Sequence, residues 1–301
     1  MQNIEKEILQ LKEEKNAIIL AHYYQTGDIL DIADMVGDSF GLSKKAKEND
    51  ADIIVFCGVR FMAESAKILS PQKKVLLPAY DAGCPMADMT TPEDILALRE
   101  QYPDAAVVCY VNSTSEVKAE CDVCVTSSNA VKICASLSQQ QIVFVPDQNL
   151  ARYVANQLPD KQIIPFDGYC IVHHQVGAND VEQAREALPD ALLLVHPECV
   201  QDVIDMADYV GSTAGIINFA NESDKKEFII GTEMGILHVL KQQNPDKKFY
   251  LLSPKLLCSN MKKTKIADVL DALKYEQHEI TLDEDILIRA KRSLDKMMEL
   301  S

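Results

Sequence analysis

Apolar runs of about half a dozen residues recur along the chain, and each ends on a polar cluster. AIILAH (17–22), AVVCYV (106–111) and ALLLVH (191–196) read as buried strands. They lead into the triplets His22-Tyr23-Tyr24, Tyr110-Val111-Asn112 and His196-Pro197-Glu198. A hydroxyl follows each triplet in the texts VGDSF, VTSSN and VGSTA, at Ser39, Ser127 and Thr213. A second strand comes next: DIIVFCG (52–58), QIVFVPD (141–147) and EFIIGTE (227–233). Helical stretches follow (FMAESAKIL, NLARYVANQL, GILHVLKQQ), then third strands in KKVLLPA, KQIIPFD and KKFYLLSP. Each series closes on a cysteine: Cys84, Cys170 and Cys258.

The same order met three times, with the cysteines 86 and 88 residues apart, predicts three copies of one unit. Alternating strands and helices predict an α/β fold of three homologous Rossmann-like αβα units with small parallel sheets. Packed around a pseudo-threefold axis, they would bring their strand ends, where ligands sit in open α/β sheets, to one centre. Pro-containing polar turns at QYPDA and ALPDA place the boundaries, giving units 1–103 (with an N-terminal amphipathic helix), 104–189 and 190–276. Residues 277–301 form a terminal helix that docks on the core. Thr281-x-x-Glu284 reads as its capping box, and Ile286, Ala290, Leu294 and Met297 share one face.

Composition narrows the function. A chain of 301 residues that is 47% hydrophobic and 25% charged has the makings of an ordinary folded protein. A net charge of −16 argues against sequence-independent binding to nucleic acid. No apolar run is long enough to span a membrane, and MQNIEKEILQLKEEKN has no signal-peptide core, so a cytoplasmic location is expected. In a reducing compartment nine cysteines point to metal or catalytic roles, or to plain core, rather than disulfides.

Three thiolates from matched positions are soft ligands suited to an iron–sulfur cluster or to zinc. Three cysteines on a 4Fe-4S cluster leave one iron without a protein ligand, and an open metal site acts as a Lewis acid. Zinc with three thiolates and a water is the rival, although zinc sites usually show a close CxxC pair. The one CxxC here, Cys121-Asp122-Val123-Cys124, has no counterpart in the other units and reads as packing. Cys57, Cys109 and Cys134 lie in apolar runs and read as core; Cys199 is ambiguous. His173-His174 reads equally as a ligand or base and as a surface or helix-start pair. Ser39, Ser127, Ser212 and Thr213 precede helices, where hydroxyls cap the first turn or help it bind phosphate and carboxylate. His22, Tyr24, Tyr110, His196 and Glu198 offer proton-transfer groups. There is no GxGxxG and no GxxxxGK[ST].

The motifs AHYYQ, VGDSFGLSKKA, FCGVRFMAESAKIL, AGCPMADM, YVNS, VTSSNAVKI, VPDQNLA, GYCIVH, VHPEC, GSTAGI, IGTEMGILHVL and CSNMKKTKIADVLDAL together resemble the quinolinate synthase family over almost the whole chain. The resemblance implies three α/β domains around a 4Fe-4S cluster held by Cys84, Cys170 and Cys258. It implies condensation of iminoaspartate with dihydroxyacetone phosphate to quinolinate, phosphate and water in NAD biosynthesis. An L-aspartate oxidase would supply the imine. His22, Tyr24 and His196 would bind substrate and move protons, with Glu198 as base or metal-side partner. Tyr110 and Asn112 would hold carboxylate or carbonyl groups, and Ser39, Ser127, Ser212 and Thr213 phosphate and carboxylate oxygens. The C-terminal CxxCxxC of some members is missing here.

Overall fold

A computed structural model describes residues 2–301. The first stretch holds α1 (Gln2–Glu14), β1 (Ala17–His22), α2 (Gly27–Ile32), β2 (Met35–Gly37), α3 (Ser39–Glu48), β3 (Ile53–Cys57), α4 (Arg60–Leu69), β4 (Lys74–Leu76) and α5 (Pro92–Gln101). The second holds β5 (Ala106–Tyr110), α6 (Ser115–Ala119), β6 (Val123–Val125), α7 (Ala130–Ser136), β7 (Gln141–Val145), α8 (Gln148–Gln157), β8 (Gln162–Pro165) and α9 (Ala178–Ala187). The third holds β9 (Leu192–Val195), α10 (Gln201–Asp205), β10 (Tyr209–Val210), α11 (Thr213–Glu222), β11 (Glu227–Gly231), α12 (Ile236–Gln243), β12 (Lys248–Leu251) and α13 (Ile266–Tyr275). The chain ends in α14 (Glu284–Leu300).

Each stretch builds one four-stranded parallel sheet, in the orders β2-β1-β3-β4, β6-β5-β7-β8 and β10-β9-β11-β12. The central strands are apolar without alternation because helices cover both faces; every residue of β3 and β5 is buried. The registers repeat as well, with Ala21 opposite Cys57, Cys109 opposite Val145 and Val195 opposite Gly231. The sequence pattern shows three strands per unit, and the structure adds a fourth. β2, β6 and β10 are two or three residues long, too short to register as apolar runs.

Three aspartates make the repeat visible at atomic level. Asp34, Asp122 and Asp208 sit just before the short strands. Their carboxylates accept from the first-strand amides of Ile19 (2.8 Å), Val107 (2.7 Å) and Leu193 (2.7 Å). Their own amides donate back to the carbonyls of the same residues, each at 2.9 Å. Each also pairs with a cation: Lys12, Arg99 and Arg185.

The sheets share their cores. One cluster joins the first and second sheets beneath α14; another joins the first and third with α1 and α13; a third lies under the Cys170 loop and the third sheet. Ala290, Leu294 and Met297 of α14 are fully buried, and Ile286 only partly. The helix does not start from a Thr281 capping box. Its N-cap is Asp283, whose carboxylate accepts from the amides of Asp285 and Ile286. A shorter acidic side chain one residue before the first turn reaches those amides directly, and its charge suits the helix N-terminus. No helix among the described residues is long and apolar enough to cross a membrane.

Candidate active site

The carboxyl ends of all three sheets open into one cavity with about 920 Å³ of atom-free space, part of it open solvent at the mouth. It is lined by His22, Tyr24 and Ser39 from the first stretch, Tyr110, Asn112 and Ser127 from the second, and His196, Glu198 and Thr213 from the third. Cys84, Cys170 and Cys258 line it too, each partly buried. Ser212 does not. It is the N-cap of α11, and its hydroxyl oxygen accepts from the Gly215 amide at 3.1 Å. Phe61, Met62, Met86, Ile171 and Leu257 supply apolar wall, and no lysine or arginine lines the space.

The triplets sit where they do because parallel strands deliver successive residues into the loops at their carboxyl ends. His22 and His196 share a local geometry. The Nδ1 of each accepts the amide two residues on, from Tyr24 at 3.2 Å and from Glu198 at 3.3 Å. That places the ring hydrogen on Nε2, where His196 donates to Ser127 Oγ at 3.2 Å. Burial, with Lys262 and His196 nearby, lowers His22 to about 3; burial likewise lowers His196 to about 3. Both rings are therefore neutral donors at physiological pH.

Glu198 lies at the centre, 3% exposed. Burial alone would raise its carboxyl. The imidazoles of His196 and His173 and the Tyr110 hydroxyl outweigh that and hold it below the ordinary carboxylate range. Tyr110 Oη donates to it at 2.6 Å and His173 Nδ1 lies 2.6 Å away. With its hydrogen on Nδ1, His173 accepts at Nε2 from Thr232 Oγ1 at 2.9 Å. Thr232 in turn lies 2.7 Å from Tyr24 Oη, which also meets Thr213 Oγ1 at 2.8 Å. One chain of hydrogen bonds thus runs from a phenol facing the cavity to a buried carboxylate. Burial raises Tyr24 and Tyr110 well above the ordinary phenol range, so both stay protonated donors. The buried Asn112 Oδ1 has no partner in the protein, a free acceptor beside the cavity.

At the other end, Ser39 and Thr213 open α3 and α11, and Ser127 precedes α7. Helix starts and hydroxyls of this kind carry the partial positive charge of a cavity whose lining, among the described residues, holds no lysine or arginine.

The cysteine loops are tied in one way. The amides of Arg60, Gln148 and Met234, three residues past β3, β7 and β11, donate to the carbonyls of Ala82 (2.8 Å), Gly168 (2.8 Å) and Leu256 (2.9 Å). Each accepting residue lies two before its cysteine. Burial pushes the Cys84 thiol up to about 12 and raises Cys170 and Cys258. Such thiols ionise only when a metal takes the charge. Two thiolates on one metal ion, at about 2.3 Å each, lie no more than about 4.6 Å apart. Among the described residues the donor group compact enough for one ion, all atoms within 4.8 Å, is Cys170, His173 and Glu198; the three thiols are spread wider than that. A spread of that kind does not suit one shared zinc; as soft donors from three separate loops, the thiols have the chemistry of iron–sulfur or zinc ligands.

The chain matches the family described as Quinolinate synthetase A protein over residues 6–299. It is 57% identical to the quinolinate synthase of Alkaliphilus metalliredigens, covering 99% of this chain and 98% of the relative. Identity is 57% to that of Caldicellulosiruptor saccharolyticus (100% and 99% covered) and 51% to that of Methanoregula boonei (99% and 98% covered). The chain belongs to the quinolinate synthase family. Membership makes it an enzyme.

In this quinolinate synthase family chain the structure places His173 inside the site and adds buried polar residues beside it that the sequence does not single out. His173 is 2% exposed and central, a buried residue rather than a surface one; its neighbour His174 lies against Tyr169 with centroids 4.3 Å apart and the rings tilted by 31°. Thr232, Glu233 and Asp147 are fully buried just past β11 and β7. Their signal was a hydroxyl or carboxylate directly after an apolar strand, in VPD and GTE. The remaining cysteines, 57, 109, 121, 124, 134 and 199, are buried.

Proposed function

We propose that the protein condenses iminoaspartate with dihydroxyacetone phosphate, forming quinolinate, phosphate and water for NAD biosynthesis. On this reading Cys84, Cys170 and Cys258 hold a 4Fe-4S cluster. The observation that carries it is the convergence of one thiol, one polar triplet and one helix-start hydroxyl per sheet on a single cavity, in a chain of this family. The soft thiolate donors, one from each unit's cysteine loop, fit the group by their chemistry. When bound, the cluster supplies an open iron as Lewis acid for dehydration.

The protein's own residues do the rest. Ser39, Ser127 and Thr213, with their helix starts, hold phosphate and carboxylate oxygens. Asn112 Oδ1 accepts an N–H or O–H of substrate. His22 and His196 donate from Nε2 to developing negative charge on oxygen. Tyr24 passes a proton at its Oη, with Thr232 and His173 conducting it toward Glu198, and Tyr110 keeps Glu198 ionised and oriented. Ser212 holds the α11 start and so places Thr213. The units run 1–103, 104–189 and 190–276, with 277–301 as the docking helix. The enzyme works in the cytosol, where an L-aspartate oxidase supplies the short-lived imine.

A second reading places a single zinc on Cys170, His173 and Glu198; it leaves Cys84 and Cys258 idle. Metal and sulfide analysis of anaerobically purified protein separates the two. About four irons with matching sulfide, lost in each of Cys84→Ala, Cys170→Ala and Cys258→Ala, together with quinolinate formation from freshly generated imine, is the expected result. One zinc, kept in Cys84→Ala and Cys258→Ala, would replace the cluster.

A further inference from the structure

Asp147 and Glu233 occupy the same place in two units, two residues past β7 and β11, and both are completely buried. Each carboxylate divides its oxygens in the same way. Asp147 Oδ1 accepts from Leu150 N at 2.7 Å, at the start of α8, and Oδ2 accepts from Cys170 N at 3.0 Å. Glu233 Oε2 accepts from Gly235 N at 2.7 Å, and Oε1 accepts from Cys258 N at 3.1 Å. One oxygen is fixed to the unit's own frame; the other grips the amide of the cysteine. A backbone bond already ties each cysteine loop to its sheet, so a loop tether alone does not call for a buried carboxylate.

Glu233 goes a step further. Its charge meets Lys262 Nζ at 3.0 Å, and that ammonium also donates to the Tyr24 carbonyl oxygen. The Cys258 amide is thereby linked through Glu233 and Lys262 to the His22-Tyr23-Tyr24 triplet of another unit. In the first unit the corresponding residue is Val59, which has no acceptor.

We propose that Asp147 and Glu233 are positioning residues that fix Cys170 and Cys258 for metal binding, leaving Cys84 as the thiol without a carboxylate anchor. The proposal rests on the cluster reading above. A carboxylate in this place does two things. It sets the backbone torsions of the cysteine, and hence where Sγ points. It also accepts from an amide that would otherwise turn toward the thiolate sulfur. Partners of this kind, one bond removed from the metal, commonly change metal affinity about 10- to 100-fold when lost.

The test uses Asp147→Asn and Glu233→Gln. Each amide keeps the shape but has one acceptor oxygen, so one of the two backbone amides faces an NH₂ group. Asp208→Asn is the control: it alters the same kind of carboxylate-to-amide bond, to Leu193, far from the cysteines in sequence and outside the cavity. Purified under nitrogen and challenged with a ferrous chelator, both site variants should keep their circular dichroism and lose iron about 10- to 100-fold faster than wild type. Asp208→Asn should lose iron at the wild-type rate. A wild-type rate in either site variant overturns the proposal. So does loss of the fold in either, which would assign the carboxylate to the scaffold. Absence of iron and sulfide from the wild-type protein would instead remove the cluster reading itself.

Discussion

At the residue scale, the cavity works by restraint on a few titratable groups. The Tyr24 hydroxyl joins Thr213 and Thr232 and begins the path to His173 and Glu198. Tyr24→Phe removes that oxygen and little else. Quinolinate formation should fall by about 10²- to 10⁴-fold, with iron content unchanged; an active Tyr24→Phe enzyme would take the proton path away from this chain of bonds. The two neutral imidazoles give a second prediction. His22 and His196 lie at about 3 in the fold against 6.5 when free. Above pH 6.5 both states leave them neutral and stability does not respond. As pH falls from 6.5 toward 3 the unfolded chain takes up protons that the fold refuses, so stability drops, by up to about 1.4 kcal/mol per histidine per pH unit. Urea midpoints at pH 7.5, 6.5 and 5 should be level, then falling. His22→Asn should flatten the fall. What the sequence reveals at this scale follows from duplication: residues at matched positions, such as His22, Tyr110 and His196, stand out by their period. His173 and Thr232 are single occurrences. The counterparts of Thr232, one past the second strand, are Gly58 and Pro146, and those of His173, three past the cysteine, are Ala87 and Met261; none offers the same chemistry, so periodicity is silent about both.

At the element scale, each central strand is fastened by an aspartate that lies outside it. Asp122→Ala would leave the buried Val107 amide without its acceptor and should lower the unfolding free energy by about 1–3 kcal/mol, read from urea denaturation. Helix α14 fastens a larger area. Leu294 is fully buried between the first two sheets, and Leu294→Ala should cost about 2–5 kcal/mol. The longer strands of each unit, the helix after each second strand and the terminal helices are readable as apolar runs of strand or helix period; α5, α9 and α13, ten residues each at the end of a unit, are not. The edge strands β2, β6 and β10 escaped, because two or three residues make no pattern and their pairing is decided by the neighbouring strand. The start of α14 was misplaced by two residues: Thr281-x-x-Glu284 satisfies the capping pattern, yet Asp283 has the better reach.

At the scale of the whole molecule, a repeated frame carries an unrepeated site. The three sheets share strand order, register and aspartate fastening, while the groups delivered to the cavity differ: an imidazole and a phenol, a phenol and an amide, an imidazole and a carboxylate. A net charge of −16 sits around a cavity with no cationic side chain. On the proposed reading, anion binding falls to helix starts and hydroxyls, whose partial charges are fixed in place. Because each sheet draws its four strands from one continuous stretch, its pairings are local in the chain, and local pairings form fastest. The site is the opposite case: Tyr24 meets Thr232 across 208 residues, and Lys262 reaches Tyr24 across 238. The three thiols therefore come together only where all three units have docked, and on the cluster reading proposed above, loading with iron and sulfide should require the complete fold: a chain truncated before Cys258 should take up no cluster.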